Sequence, residues 1–211
     1  MNLAQTERAA LQASLLEKGP DAPTLCGEWT TKDLAAHLYV REQKPGAALR
    51  SMLPGKQDPA KEEFEEALAR PYEDVVNAWA EGPQGLNLWR ALDSIGNSME
   101  HFIHHEDVLR GALQPGDEVE VRPMEHAHGK ELHRILKLLA PRMIKSPRPV
   151  VLAPVGFPRI VLHEGRGVSA DGENVCRISG GVGELLLWLS GRDVVKLTFE
   201  GNQEGVVRGS L

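Results

Sequence analysis

Long apolar runs are missing from this chain. The longest, Leu185–Leu189, is far too short to cross a bilayer, so the sequence offers no membrane span. Cysteine is nearly absent, with only Cys26 and Cys176, whose separation matches no zinc or redox motif. Sparse thiols fit a reducing compartment. Aromatic residues make up 5% of the chain and basic residues are nowhere massed. The net charge is −6, and the nearest basic stretch, Lys137 to Arg148, is broken by apolar residues and proline, which argues against nucleic acid as a partner. Met1 to Gly19 lacks the uncharged apolar core of a signal peptide, so a cytoplasmic protein is expected. There is no internal repeat and no low-complexity tract.

What is present reads as two architectures in succession. At 211 residues the chain can bury a core without disulfides. Ala4 to Leu16 has apolar residues at helical spacing and closes at Gly19-Pro20. Thr30 or Thr31 can cap a second helix running to about Lys44, with Leu34, His37, Leu38 and Arg41 on one face. A polar, proline-rich crossover follows, with short helices predicted over about Pro59 to Ala69 and Pro71 to Trp79. Leu86 to Leu113 carries the longest helical stripe, built on Trp89, Leu92, Gly96, Met99 and Ile103, and Met124 to Ile144 carries another. Four principal helices make a bundle.

At Ser146-Pro147-Arg148-Pro149 the pattern changes. Short β-rich runs follow at Pro149 to Ala153, Arg159 to His163, Val175 to Ile178 and Val194 to Phe199, with one helix, Val182 to Ser190, stopped at Gly191. The expected class is therefore α+β, a helical bundle over 1–146 followed by a small α+β domain over 147–211.

Chemistry concentrates in the first half. Glu100 and His104 are four residues apart, one turn on a helix, so both side chains can reach one ion. His37, on the inward face of the second helix, would supply a third ligand. Two imidazoles and a carboxylate form a set that leaves a coordination position open, as catalytic zinc sites do. The same donors suit nickel, iron or manganese. Asp33 and Asp107 stand one turn from the two histidines and could hold their rings by hydrogen bonds. The bland alternatives are a hydrogen-bonded core histidine at 37 and an exposed i, i+4 pair at 100 and 104. His101 and His105 form a rival pair that, with Glu106, could take a metal, although a solvated face is the preferred reading. His126, His128 and His133 read as surface or pocket histidines, and Cys26 as a packed loop cysteine with no base beside it in sequence.

Two strings carry a family resemblance. The run Thr24 to Leu38, with Cys26, Gly27, Trp29, Asp33 and His37, resembles the N-terminal signature of the mycothiol-dependent maleylpyruvate isomerase family, a branch of the DinB-like four-helix proteins. So does Met99 to Asp107, with Glu100 and His104. The resemblance implies a DinB-like bundle whose His37, Glu100 and His104 bind a divalent metal, zinc foremost. Gly183 to Arg192 resembles the helix and turn of the family's C-terminal domain and makes Arg192 a candidate catalytic residue. The resemblance also implies an actinobacterial branch of that family.

The implied activity is that of an isomerase or S-transferase. The metal would lower the pKa of a low-molecular-weight thiol, mycothiol by resemblance, for attack on a small electrophilic substrate, with Arg192 holding anionic charge. Two alternatives stand beside it. One is a metal-dependent hydrolase that activates water, with His101, His105 or Glu106 as proton shuttle. The other is a non-catalytic metal-binding sensor or interaction protein. Bundles of this kind also pair through helix faces, which makes a homodimer an option.

Overall fold

A computed structural model describes residues 2–47, 59–82, 94–165 and 174–209. Its elements are α1 (Leu3–Lys18), α2 (Thr31–Gln43), α3 (Pro59–Ala69), α4 (Tyr72–Ala80), α5 (Ser94–Leu109), α6 (His126–Met143), β1 (Ile144–Lys145), β2 (Val150–Pro154), β3 (Ile160–Leu162), β4 (Cys176–Gly180), α7 (Val182–Leu189), β5 (Leu197–Gly201) and β6 (Val207–Arg208). They group into two compact units, Met1–Ala112 and Leu113–Leu211.

The first unit starts from well-marked helix ends. Asn2 Oδ1 accepts the Gln5 backbone N–H at 2.9 Å, and Gln5 Oε1 accepts the Asn2 N–H at 3.3 Å, a reciprocal cap on α1. Gly19, at φ 75°, ends that helix in a backbone conformation that a side chain would strain. At α2 the Asp33 carboxylate accepts the Thr30 backbone N–H (2.9 Å) and hydroxyl (2.7 Å). Asp33 is thus engaged in starting the helix rather than in orienting His37.

The core of this unit joins Leu11 and Leu15 of α1, Leu34 and Leu38 of α2, Val75, Val76 and Trp79 of α4, and Val108 of α5. α1 lies along α5, α2 against α3 and α4. A smaller cluster, Ala36, Val40 and Ala67 with Phe64 at its edge, seals α2 to α3. The segment 71–80, which the sequence reads as part of a crossover, therefore contributes one of the four core helices. Its fully buried Trp79 explains why. The start of the long helix expected from Leu86, with Trp89 and Leu92, lies outside the described residues.

The second unit, Leu113–Leu211, includes α6. Helix α6, which the sequence assigns to the bundle, turns Leu132, Ile135 and Leu136 inward and packs on α7, β1 and β3. The main sheet has the order β3-β2-β4-β5. β2 and β4 are parallel, Val150 opposite Cys176 and Leu152 opposite Ile178, and the two outer pairs are antiparallel. Val150, Leu152, Cys176 and Ile178 are buried on one face, and α7 packs on β2 and β4. β1 and β6 form a separate two-residue ladder. Among the described residues no helix is long and apolar enough to cross a membrane.

Candidate metal centre

Helical geometry places Glu100 and His104 on one side of α5 and His37 on the facing side of α2. His104 Nε2 lies 3.1 Å from Glu100 Oε2. The His37 and His104 rings meet edge to face with centroids 5.5 Å apart. Each of the three residues offers a ligand atom, and those atoms all lie within 4.8 Å of one another. Two donors bound tetrahedrally to one zinc ion are separated by roughly 3.3 Å, which the 3.1 Å between Glu100 and His104 already matches, with His37 within 4.8 Å of both. The donor set fits a divalent ion.

The surroundings shape the charge of each group. Burial, together with the charge of His104, pushes the His37 imidazole down to about 4, keeping its lone pair available at neutral pH. Burial pulls Glu100 upward, but the His104 hydrogen bond and the Arg41 guanidinium, 3.7 Å away, hold it at about 2. For His104 burial acts downward and is outweighed by hydrogen bonds to Asp107, Cys26 and Glu100, which raise it well above its ordinary value. Glu100 has a side chain 24% exposed, against 0% for Asp107, so the Glu100 side of the His104 ring reaches solvent.

His104 has a second set of neighbours. Its Nδ1 lies 2.9 Å from Asp107 Oδ2 and 3.7 Å from Cys26 Sγ, while Sγ lies 3.0 Å from the same carboxylate oxygen. These three also come within 4.8 Å of one another. Cys26 thus stands beside a base and an acid that are 78 and 81 residues away, which is why inspection of its sequence neighbours finds none.

The rival histidines prove to be interior. His101 is fully buried, its Nδ1 donating to Ala4 O (3.0 Å) and its Nε2 lying 2.7 Å from Glu42 Oε1. His105 pairs with Glu7 at 2.7 Å and with Ser14 Oγ at 3.1 Å, and Glu106 accepts from Arg110 Nε at 2.7 Å. The expected solvated face is instead interior: α1 supplies Ala4 O, Glu7 and Ser14 to His101 and His105, α2 supplies Glu42 to His101, and Arg110 at the end of α5 itself meets Glu106. From His101 to Glu106, α5 therefore carries polar side chains inside the unit. His126 and His133 belong to the second unit, stacked on either side of Phe157 at 5.0 and 5.4 Å. Arg192 lies there too, buried past the end of α7, with Nη1 donating to Ser190 O at 2.8 Å.

Residues 2–94 match the family model described as "Mycothiol maleylpyruvate isomerase N-terminal domain". The matched segment is less than half of the chain and resembles that family's N-terminal domain. The match includes His37 and stops before Glu100. No curated protein matches the chain significantly. Two solved structures share its fold, a mycothiol-dependent maleylpyruvate isomerase (16% identity, TM-score 0.54) and a histidine-to-alanine mutant of the mycothiol-dependent maleylpyruvate isomerase (15%, TM-score 0.55). Each alignment covers 96% of this chain and 92% of the other. At such identity the likeness speaks for the fold, and it extends over both units of the chain.

Proposed function

We propose that the protein is a divalent-metal- and thiol-dependent isomerase or S-transferase acting on a small electrophilic acid, the class suggested by the mycothiol-dependent maleylpyruvate isomerases. The observation that carries this reading is the convergence of His37, Glu100 and His104 on one point, with one side open to solvent. Zinc bound there would supply Lewis acidity, lowering the pKa of a thiol. The chain's own residues do the rest. Neutral His37 and ionised Glu100 present lone pairs, and Asp107 takes the Nδ1 proton of His104 in a hydrogen bond that leaves Nε2 facing the other two donors. A thiolate adding to the electrophilic carbon of an activated alkene turns its double bond single. Rotation and loss of the thiolate return the isomer, with no net redox change and the thiol regenerated. Arg192 is the candidate for holding the substrate's anionic charge.

The hydrolytic alternative is less well supported, since His101, His105 and Glu106 are bound to Glu42, Glu7 and Arg110 inside the unit and are poor proton shuttles there. Purified protein is expected to contain stoichiometric metal by elemental analysis. His37→Ala and Glu100→Ala should lose it. Maleylpyruvate should isomerise only when both zinc and mycothiol are present, and Arg192→Ala should raise KM. Full metal occupancy in both variants, or turnover without thiol, would refute the reading.

A further inference from the structure

The loop from Pro23 to Thr30 is built against the metal-binding face. An isolated bridge joins Pro23 to Thr30, Thr24 Oγ1 donates to Trp29 O (2.7 Å) and accepts the Cys26 N–H (3.1 Å), and Gly27 turns at φ 68°. The loop is tied to α5 by the Leu25 N–H, which donates to Asp107 O at 3.1 Å. Gly111 lies under it so closely that a Cβ there would come within 1.9 Å of Pro23 O. One short segment thereby delivers two side chains to the two imidazoles. The Trp29 ring stands 5.3 Å from His37, and Cys26 meets Asp107 and His104.

The two candidate ion positions around His104 use opposite ring nitrogens, Nε2 towards His37 and Glu100, Nδ1 towards Cys26 and Asp107. An imidazole that coordinates through Nε2 keeps a proton on Nδ1, and that proton needs an acceptor. Asp107 Oδ2 supplies it at 2.9 Å. The same oxygen receives the Cys26 S–H at 3.0 Å. These separations are those of hydrogen bonds, and the Asp107 carboxylate that receives both is fully buried.

From these contacts we infer that Cys26 is a positioning residue of the metal centre: its thiol, donating to Asp107, fixes the carboxylate that holds His104 with Nε2 aimed at the ion. This role rests on the metal reading above. It distinguishes Cys26 from a nucleophile, which would need to reach substrate, and from a ligand, which would need to reach the ion. Serine keeps a donor at the same place, whereas alanine and valine remove it, valine while keeping bulk.

The test measures zinc affinity of the full chain by competition with a chromophoric chelator, and the near-UV spectrum of the cobalt-substituted protein. Wild type should bind one ion. Cys26→Ala and Cys26→Val should bind about 10-fold more weakly, Cys26→Ser should recover to within about 3-fold, and Asp107→Asn should lose about 10- to 100-fold, the range for partners that orient a ligand. No thiolate-to-cobalt charge-transfer band should appear. Undiminished affinity in both the alanine and the valine variants overturns the inference while leaving the metal site standing. A charge-transfer band that vanishes in Cys26→Ser overturns it by making Cys26 a ligand. A wild-type chain that takes no zinc removes the metal reading and this role together. Should Cys26→Ala not fold, Cys26→Val against Cys26→Ser gives the same comparison.

Discussion

Replacing Glu42 should cost the first unit more than any exposed substitution. Its carboxylate, 2% exposed, gathers three donors: Arg8 Nη2, the Trp79 Nε1–H at 2.8 Å and His101 Nε2 at 2.7 Å. Glu42→Ala leaves two buried ring donors without an acceptor, at about 1–3 kcal/mol each, and strips Arg8 of its counter-charge. Removing one partner of a buried ion pair costs roughly 3–5 kcal/mol by itself, and these contributions overlap, so about 4 kcal/mol in total is expected. For a unit of this size that lowers Tm by on the order of 10–20 °C. Glu42→Gln keeps an acceptor for Trp79 and His101 but turns an amide towards Arg8, and should cost about 1–2 kcal/mol. Calorimetry of the two variants reads the difference. The pH dependence gives a second reading. Burial pulls the Glu42 carboxyl up, but His101 and Arg8 outweigh it and hold it below 4.5, so its contribution is fully present above that pH and lost as pH falls through the lowered value. The deficit of Glu42→Gln should therefore shrink on acidification. A loss under about 1 kcal/mol in both variants, or equal losses in the two, would refute the claim that the carboxylate organises this cluster.

Further outcomes follow from other contacts. Gly111→Ala should push the Pro23–Thr30 loop off α5, costing about 1–3 kcal/mol in denaturant unfolding and weakening zinc binding in the same variant; unchanged stability would mean the loop yields freely. Zinc at 100 times its Kd should stabilise the metal-binding unit by about 2.7 kcal/mol, reversed by chelator and absent in His37→Ala. Tyr72→Phe should remove the hydroxyl that donates to Leu15 O at 2.8 Å and cost about 1 kcal/mol in urea unfolding.

Local patterns made much of this fold readable in advance. The short helices at 59–69 and 72–80 and the helix at 182–189 come within a residue or two of their predicted bounds, because prolines and glycines punctuate them. Spacing put Glu100 and His104 on one helix face but was weak evidence by itself, and it was the family resemblance that joined His37 to them; the structure brings donor atoms of all three within 4.8 Å of one another. What local sequence could not reveal was the interior of α5. Histidine and glutamate on successive positions look solvated, and only partners such as Glu7 and Glu42, far off in sequence, turn them inward. Cys26 was opaque for the same reason. The apolar row of α6 fits a bundle and a sheet-backed pair equally well, so by itself it does not say which compact unit the helix joins. β1 and β6, two residues each, carry no periodicity to read.

The seam between α1 and α5 also has a consequence for the order of events during synthesis. Glu7 leaves the ribosome 98 residues ahead of His105. At roughly 5–20 residues per second, the first helix waits on the order of ten seconds for the helix that supplies the hydrogen-bond partner of Glu7. Through that interval its leucines and its glutamate share one exposed cylinder, which neither collapses cleanly nor dissolves. The nascent chain should be most vulnerable to proteases and most dependent on chaperones until α5 emerges, and a ribosome stalled before residue 109 should display that dependence.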